Sequence, residues 1–128
     1  MATLLLDTHV ALWMVGDPDR LGATTRSALE RLDNDVLVSV ASVWEASIKA
    51  AQGRLRAPDS LWDVVERSGV RIVPIERADA VAAAGLPMHH RDPFDRMLIA
   101  QARERSAVLV TADGWVSAYD VRSLPAGV

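Results

Sequence analysis

Short runs of aliphatic and β-branched residues alternate with longer stretches of helical periodicity along this chain. Four of the runs predict buried strands, at Thr3–Leu6, Val36–Val40, Arg71–Pro74 and Val108–Thr111. Strands that are separated by helices need crossover connections, which place the strands in a mostly parallel sheet covered on both faces. The pattern therefore predicts an α/β fold with a small, mostly parallel sheet between helices.

The segments between the strands have the residue spacing of amphipathic helices. Asp92–Arg105 is the clearest helix, because Asp92 and Pro93 are typical of the first positions of a helix. The other predicted helices are Thr24–Leu32, Ala41–Gln52, one that opens at Pro58-Asp59-Ser60, and Arg77–Ala84. In the first of these, Leu32 is expected on the apolar face.

Length and composition narrow the class of protein further. The chain has 128 residues, 50% of them hydrophobic, which predicts one domain over residues 1–128 with a packed core. It has no cysteine, which excludes zinc–thiolate sites and disulfides and fits a reducing cytoplasm. No run approaches the roughly 18 apolar residues of a membrane span, so we expect a cytoplasmic protein without membrane association. The net charge of −3 argues mildly against a broad electrostatic binder of nucleic acid.

Four carboxylates lie where mostly apolar segments begin, end or turn inward: Asp7, Glu45, Asp95 and Asp113. Asp7 follows the first predicted strand and Asp113 follows the last, so both are expected at the carboxyl edge of the sheet. Helical spacing turns Glu45 and Asp95 toward the core. Four such groups around one crevice repel each other unless a cation lies between them. Oxygen ligands favour Mg²⁺ or Mn²⁺, and the matching chemistry is metal-dependent hydrolysis of phosphodiester bonds.

Each carboxylate also has a purely structural interpretation. Asp7 could cap the first helix, and Asp113 could belong to an ordinary turn. Glu45 could be the ion-pair partner of Lys49, one helical turn away. The segment Asp92-Pro93-Phe94-Asp95 has the composition of a helix cap. The case for a shared site therefore depends on the four acids together.

Basic residues near these acids are weaker candidates. Arg91 and Arg96 flank Asp95 and could contact phosphate. Arg96 is also one helical turn from Asp92, which makes a structural ion pair an equal alternative. The pair His89-His90 is expected in an exposed loop rather than on a metal ion.

Aromatic residues and one further histidine complete the candidates. His9 follows Asp7 directly, and it could contact substrate or simply be a polar residue at a helix start. Trp44 is predicted to lie in the core. Trp13 and Trp62 lie on predicted helices, where an exposed aromatic ring would suit a partner interface.

The four acids lie in four segments that resemble the successive motifs of a known family. The segments are Leu4-Leu5-Leu6-Asp7-Thr8-His9, Ser39-Val40-Ala41-Ser42-Val43-Trp44-Glu45, Asp92-Pro93-Phe94-Asp95-Arg96-Met97-Leu98-Ile99-Ala100 and Val110-Thr111-Ala112-Asp113. In order and content they resemble the motifs of PIN-domain ribonucleases, and the resemblance spans nearly the whole chain. The compact length and the third segment look most like VapC-type toxins of bacterial toxin–antitoxin pairs.

The resemblance implies a PIN-like three-layer α/β/α sandwich and a Mg²⁺ site, in which Mn²⁺ can substitute. The implied metal ligands are the four acids, Asp7, Glu45, Asp95 and Asp113. The resemblance also implies endonucleolytic cleavage of RNA, commonly tRNA or rRNA, with Thr111 as an orienting hydroxyl and Thr8 as a weaker candidate. It further implies a homodimer and a small antitoxin whose C-terminal segment occupies the active-site groove.

Two rival interpretations remain open. A phosphatase could use Asp7 as its nucleophile. Haloacid-dehalogenase-like phosphatases, however, need a second Asp at the position where this chain has His9. Receiver domains need a lysine late in the sequence, whereas the only lysine of this chain is Lys49. A non-catalytic RNA- or protein-binding α/β domain would use the acids as caps and would bind independently of chelators.

Overall fold

The computed structural model describes residues 1–127 and contains five strands in one parallel sheet. The strands are β1 (Thr3–Leu6), β2 (Asp35–Ser39), β3 (Arg71–Val73), β4 (Val108–Thr111) and β5 (Ser123–Pro125). Their order across the sheet is β3-β2-β1-β4-β5, and each neighbouring pair is parallel. The first strand is therefore central, and the later strands add on both sides of it through crossover connections.

Six α-helices connect the strands in the described part of the chain. They are α1 (Thr8–Gly16), α2 (Ala23–Glu30), α3 (Val40–Ala51), α4 (Leu61–Arg67), α5 (Arg77–Ala84) and α6 (Pro93–Glu104), with short 3₁₀ helices at Pro18–Arg20 and Gly114–Ala118. The side chains of Asp7, Ser39 and Asp92 cap the starts of α1, α3 and α6 by accepting backbone N–H groups. None of the helices within residues 1–127 is both long and apolar enough to cross a membrane.

Strand side chains alternate between the two faces of the sheet, and separate helices cover each face. On one face, Leu5, Leu37 and Leu109 pack with residues of α5 and α6. On the other face, Leu4 and Leu6 pack with residues of α1 and α4. The fold is thus a three-layer α/β/α sandwich around a small parallel sheet, as the sequence predicts.

The register of the central strands aligns the residues that leave the sheet. Leu6 in β1 is paired with Val38 in β2 and with Val110 in β4. Asp7, which follows β1, therefore lies level with Thr111, the last residue of β4, and Asp7 N donates to Val110 O at 3.0 Å. The carboxyl edge, where open parallel sheets hold their functional crevice, receives side chains from adjacent strands.

The four predicted strands are confirmed to within one residue at each end. The sequence does not indicate β5, because this edge strand has three residues and ends in Pro125, which is poor strand composition. The prediction for Leu32 is wrong, since α2 ends at Glu30 and the Leu32 side chain is fully exposed.

The prediction that Trp44 lies in the core is also wrong. Its side chain is 62% exposed and packs edge-on against Phe94 of α6, with ring centroids 5.3 Å apart. The buried face of α3 consists instead of the small residues Ala41, Ser42 and Ala46. Small residues on that face let the helix lie close to the sheet, and the large indole is left on the outer side.

Trp13 on α1 and Trp62 on α4 are half-buried and pack against the core on that face of the sheet. Both side chains therefore contribute to packing within the chain. Their use in a partner interface stays a prediction.

Candidate active site

Asp7 is buried where β1 passes into α1, and only 6% of its surface is exposed. Its Oδ1 accepts a hydrogen bond from Val10 N at 2.9 Å, and its Oδ2 accepts one from Thr111 Oγ1 at 2.5 Å. Burial raises the pKa of the Asp7 carboxyl. The two hydrogen bonds oppose that rise, while the nearby charge of Asp113 adds to it. Asp7 is thus a helix cap, as its structural interpretation predicts, and also a buried acid beside a second acid.

Thr111 connects Asp7 to Asp113. Its hydroxyl donates to Asp7, and its oxygen accepts the backbone N–H of Asp113 at 3.1 Å. Thr111 is buried, whereas Asp113 is exposed in the turn that leads from β4 to the 3₁₀ helix. The structure therefore brings Asp7, Thr111 and Asp113 together at the end of β4.

Glu45 lies on α3 and is connected to the residue after Asp7. Thr8 Oγ1 donates to Glu45 Oε1 at 2.6 Å and lies 2.9 Å from Ser42 Oγ. Lys49 Nζ lies 3.2 Å from Glu45 Oε2, so the ion pair between neighbouring helical turns is present as well. The Glu45 carboxylate is therefore held between α1 and α3.

Asp95 lies in the first turn of α6, where its backbone N–H donates to the N-cap Asp92 at 3.1 Å. Its Oδ2 lies 2.7 Å from His90 Nε2. Burial raises the pKa of Asp95 to about 6. The hydrogen bond with His90 opposes this rise, and the charges of Asp92 and Glu45 add to it. The charge of Glu45 therefore acts on Asp95, less strongly than the charge of Asp92.

The structure arranges the four acids as two pairs rather than around one point. Within residues 1–127, no group of three or more acidic, histidine or cysteine side chains is arranged to hold a metal ion. Thr111 joins Asp7 and Asp113 through its hydrogen bonds, and Glu45 and Asp95 form the other pair through their charges. The hydrogen bond from Thr8 to Glu45 links the two pairs, because Thr8 follows Asp7 in the chain.

The donor set nevertheless fits a divalent cation. Carboxylate oxygens are the ligands that Mg²⁺ and Mn²⁺ prefer, and the chain has no thiolate that would favour zinc. The raised pKa values of Asp7 and Asp95 reflect burial and repulsion by neighbouring acids, and a nearby cation would stabilise the ionised carboxylates against both effects.

Arg96 has neither of its predicted contacts. The side chain is only 7% exposed, and its guanidinium donates to the carbonyl oxygens of Ala83 at 2.9 Å and of Leu86 and Pro87 at 3.0 Å. The predictions of a phosphate contact and of an ion pair with Asp92 are therefore wrong. The guanidinium instead holds the last turn of α5 and the loop between α5 and α6, where backbone carbonyl groups lack the regular donors of a helix or sheet.

His90 is a site residue that the sequence does not indicate. Its neighbour His89 is exposed as expected, but the His90 ring is half-buried, contacts Asp95 and stacks on Trp115. The expectation of an exposed pair is therefore wrong for His90. The helix cap at Asp92 offered a signal for this contact, because the residues that precede an N-cap can pack against the first turn of the helix.

His9 and Arg91 are exposed and directly follow the site residues Thr8 and His90 in the chain. The charge of His9 lowers the pKa of Asp7, so His9 is close enough to act on the acid. Their contacts with substrate stay predictions.

Comparison with protein families matches residues 4–121 of the chain to the PIN domain. The chain therefore belongs to the PIN domain family, as its motifs predict. Among its relatives is Ribonuclease VapC22 of Mycobacterium tuberculosis (strain ATCC 25618 / H37Rv), which is 36% identical over 116 residues, 88% of each chain.

Solved structures have the same fold. VapBC2 from Rickettsia felis, bound to a DNA fragment from its promoter, matches with a TM-score of 0.75 at 12% identity, over 97% of this chain and 98% of that one. A toxin–antitoxin complex from Klebsiella pneumoniae matches with a TM-score of 0.69 at 15% identity, over 98% of this chain and 99% of that one. At these identities the likeness concerns the fold alone.

Proposed function

We propose that this chain is a metal-dependent endoribonuclease and the toxin of a type II toxin–antitoxin pair, which hydrolyses phosphodiester bonds of tRNA or rRNA. The observation that carries the proposal is the meeting of Asp7, Thr111 and Asp113 at the carboxyl edge of a PIN domain. Thr8 links Glu45 to this group, and the charge of Glu45 acts on Asp95. The relative that shares 36% of its residues is named a ribonuclease, which supports the activity. We propose that residues 1–128 act as one nuclease domain in the cytoplasm.

The proposed ligands of Mg²⁺, or of Mn²⁺ in its place, are the four acids Asp7, Glu45, Asp95 and Asp113. When bound, the ion supplies a more acidic water molecule and neutralises charge on the scissile phosphate. The chain's own contribution is to hold the acids in place. Thr111 orients Asp7 through a buried hydrogen bond, and Thr8 and Lys49 do the same for Glu45.

The phosphatase alternative needs Asp7 as a nucleophile with a free oxygen at the surface. Asp7 is buried, and both of its oxygens accept hydrogen bonds, from Val10 N and from Thr111 Oγ1. These contacts favour an orienting and ligating role for this acid over a nucleophilic one.

Two protein partners belong to the proposal. The structural match to a toxin–antitoxin complex supports a cognate antitoxin. A homodimer is supported by the exposed apolar side chains of Val40 and Trp44, which lie one helical turn apart on α3 next to the site. An interface there would bury apolar surface that the single chain leaves in water.

The experiment that tests the activity is cleavage of total bacterial RNA by the purified chain, freed of any partner, in Mg²⁺, in Mn²⁺ and in EDTA. Asp7→Asn keeps a residue that caps helices well but removes the charge. The matched control is Asp19→Asn, because the Asp19 side chain is 98% exposed. We expect discrete fragments with either metal from the wild-type chain and the control, and none in EDTA or from Asp7→Asn.

The rival interpretations predict different results. A non-catalytic binding domain would bind RNA as tightly in EDTA as in Mg²⁺. Its fold and its RNA binding would also be unchanged when any of the four acids is replaced by its amide. Intact RNA in every reaction, from a folded chain that binds no Mn²⁺, would contradict the nuclease proposal and favour the binding domain.

A further inference from the structure

The loop between α5 and α6 is held in place by two buried side chains. Arg96 donates to the carbonyl oxygens of Leu86 and Pro87 at 3.0 Å and to that of His90 at 3.3 Å. The Tyr119 hydroxyl donates to Pro87 O at 2.8 Å and accepts the His90 N–H at 2.9 Å. The backbone that carries the His90 side chain is therefore fixed against α6 and against the segment that follows β4.

The His90 imidazole is held on its face and at its edge. Its face stacks on the indole of Trp115, with ring centroids 4.2 Å apart and planes 10° apart. At its edge, Nε2 lies 2.7 Å from Asp95 Oδ2, and the two side chains are only 28% and 22% exposed. An ionised carboxylate can only accept hydrogen bonds, so the contact with ionised Asp95 requires the form of His90 that carries a proton on Nε2. The ring therefore defines where Asp95 Oδ2 lies.

We propose that His90 is a positioning residue of the acid site, which fixes the Asp95 carboxylate through Oδ2 and leaves Oδ1 to the metal ion. The inference rests on the proposed function, because it assumes that Asp95 is a ligand. Among residues 1–127, His90 is the side chain that donates to Asp95, and no donor reaches Oδ1.

The physical benefit of such a contact is pre-orientation. A carboxylate that is free to rotate loses side-chain entropy when it binds an ion, which weakens binding. A donor that holds one oxygen removes that loss in advance, and substitutions of such outer partners typically weaken metal binding or activity about 10–100-fold. Stacking on Trp115 keeps the donor itself from rotating.

The test compares two substitutions of His90 by amide side chains of different length. In His90→Gln, the side-chain NH₂ can occupy the place of imidazole Nε2 and donate to Asp95. In His90→Asn, the NH₂ ends where Nδ1 was and cannot reach. His89→Asn is the matched control, because His89 is the exposed neighbour in the same loop and has only an edge contact with Tyr119. Mn²⁺ affinity is measured by titration calorimetry at constant pH, and RNA cleavage is measured against Mn²⁺ concentration.

We expect His90→Asn to weaken Mn²⁺ binding about 10-fold, His90→Gln to restore most of the affinity, and His89→Asn to behave as wild type. Cleavage by His90→Asn should return when the Mn²⁺ concentration is raised by the same factor, which a general loss of structure would not allow. Thermal unfolding in EDTA checks that each variant is folded.

Two results would overturn the inference while leaving the nuclease proposal intact. One is equal Mn²⁺ affinity of wild type and His90→Asn, in a chain whose wild type binds Mn²⁺ and cleaves RNA. The other is an equal loss in His90→Asn and His90→Gln, because the hydrogen bond would then not be the cause. A wild-type chain that binds no Mn²⁺ would instead contradict the proposed function itself, and the inference with it.

Discussion

Thr111 Oγ1 donates to Asp7 Oδ2 at 2.5 Å, a hydrogen bond between residues 104 positions apart in the chain. Both side chains are buried, and the acceptor is an acid, so the bond is short and favourable. It connects the end of β4 to the start of α1. The same hydroxyl oxygen accepts the N–H of Asp113, so one side chain orients two of the four acids.

Replacing Thr111 with Val tests this relationship, because Val has the same shape without the hydroxyl. We expect the free energy of unfolding to fall by about 1–3 kcal/mol, since a buried carboxylate oxygen loses its donor. We also expect metal-dependent cleavage to fall. Thr111→Ser keeps a hydroxyl and should recover most of both, and Thr24→Val on the exposed side of α2 is the control. Urea unfolding in EDTA measures the stability, and equal midpoints for the two Val variants would contradict the prediction.

The raised pKa of Asp95 predicts a dependence of stability on pH. Its pKa is raised from 3.8 to about 6, chiefly by burial, so the folded state binds the proton more tightly than the unfolded state. The protonated Asp95 carboxyl therefore adds to the free energy of unfolding below about pH 4. This contribution is lost as the pH rises to about 6, and the free energy of unfolding no longer depends on Asp95 above that pH. His90, Asp92 and Glu45 are the charged or titratable groups that act on this carboxyl.

Asp95→Asn removes this titration. In EDTA, the wild-type chain should lose stability relative to Asp95→Asn between about pH 4 and pH 6, by about 1 kcal/mol after allowance for solvent screening. Thermal unfolding of both proteins across this range measures the difference. Parallel curves would show that Asp95 has no raised pKa in the folded chain.

Arg96→Lys tests whether this guanidinium is structural. A lysine cannot donate to the separate carbonyl oxygens of Ala83, Leu86 and Pro87 in the forked geometry of arginine. We expect a loss of about 2 kcal/mol or more in unfolding free energy, because the Leu86 carbonyl loses its donor and those of Ala83 and Pro87 each keep only one. Arg103→Lys, exposed on the same helix, should change stability by less than about 0.5 kcal/mol. A variant that unfolds normally but binds RNA weakly would instead assign Arg96 to the substrate.

Trp44→Glu tests the proposed homodimer. The exposed indole lies on α3 beside the site, and a buried carboxylate in an interface is strongly unfavourable. We expect the wild-type chain to be a dimer and Trp44→Glu a monomer by size-exclusion chromatography with light scattering. Val64→Glu, an exposed apolar position on α4, should remain a dimer. A monomeric wild type would contradict the dimer and leave the activity untouched.

Local signals account for what the sequence predicts correctly. The apolar runs locate four strands to within one residue, and Asp92 with Pro93 locates the start of α6. The alternation of strands and helices implies parallel strands, and parallel strands place Asp7 and Asp113 at one edge. Each of these conclusions depends on neighbours in the chain or on a general rule of chain connection, which the sequence contains.

The sequence alone thus determined the α/β fold, its family and the edge at which the acids lie. Only the tertiary structure decided that Arg96 donates to backbone carbonyl groups, that His90 stacks on Trp115 and contacts Asp95, and that Trp44 faces outward. It also decided the short edge strand β5 and the division of the acids into two pairs. The physical reason is that these features depend on which distant groups remain to be packed or hydrogen-bonded once the helices have docked, and residue spacing does not specify those partners.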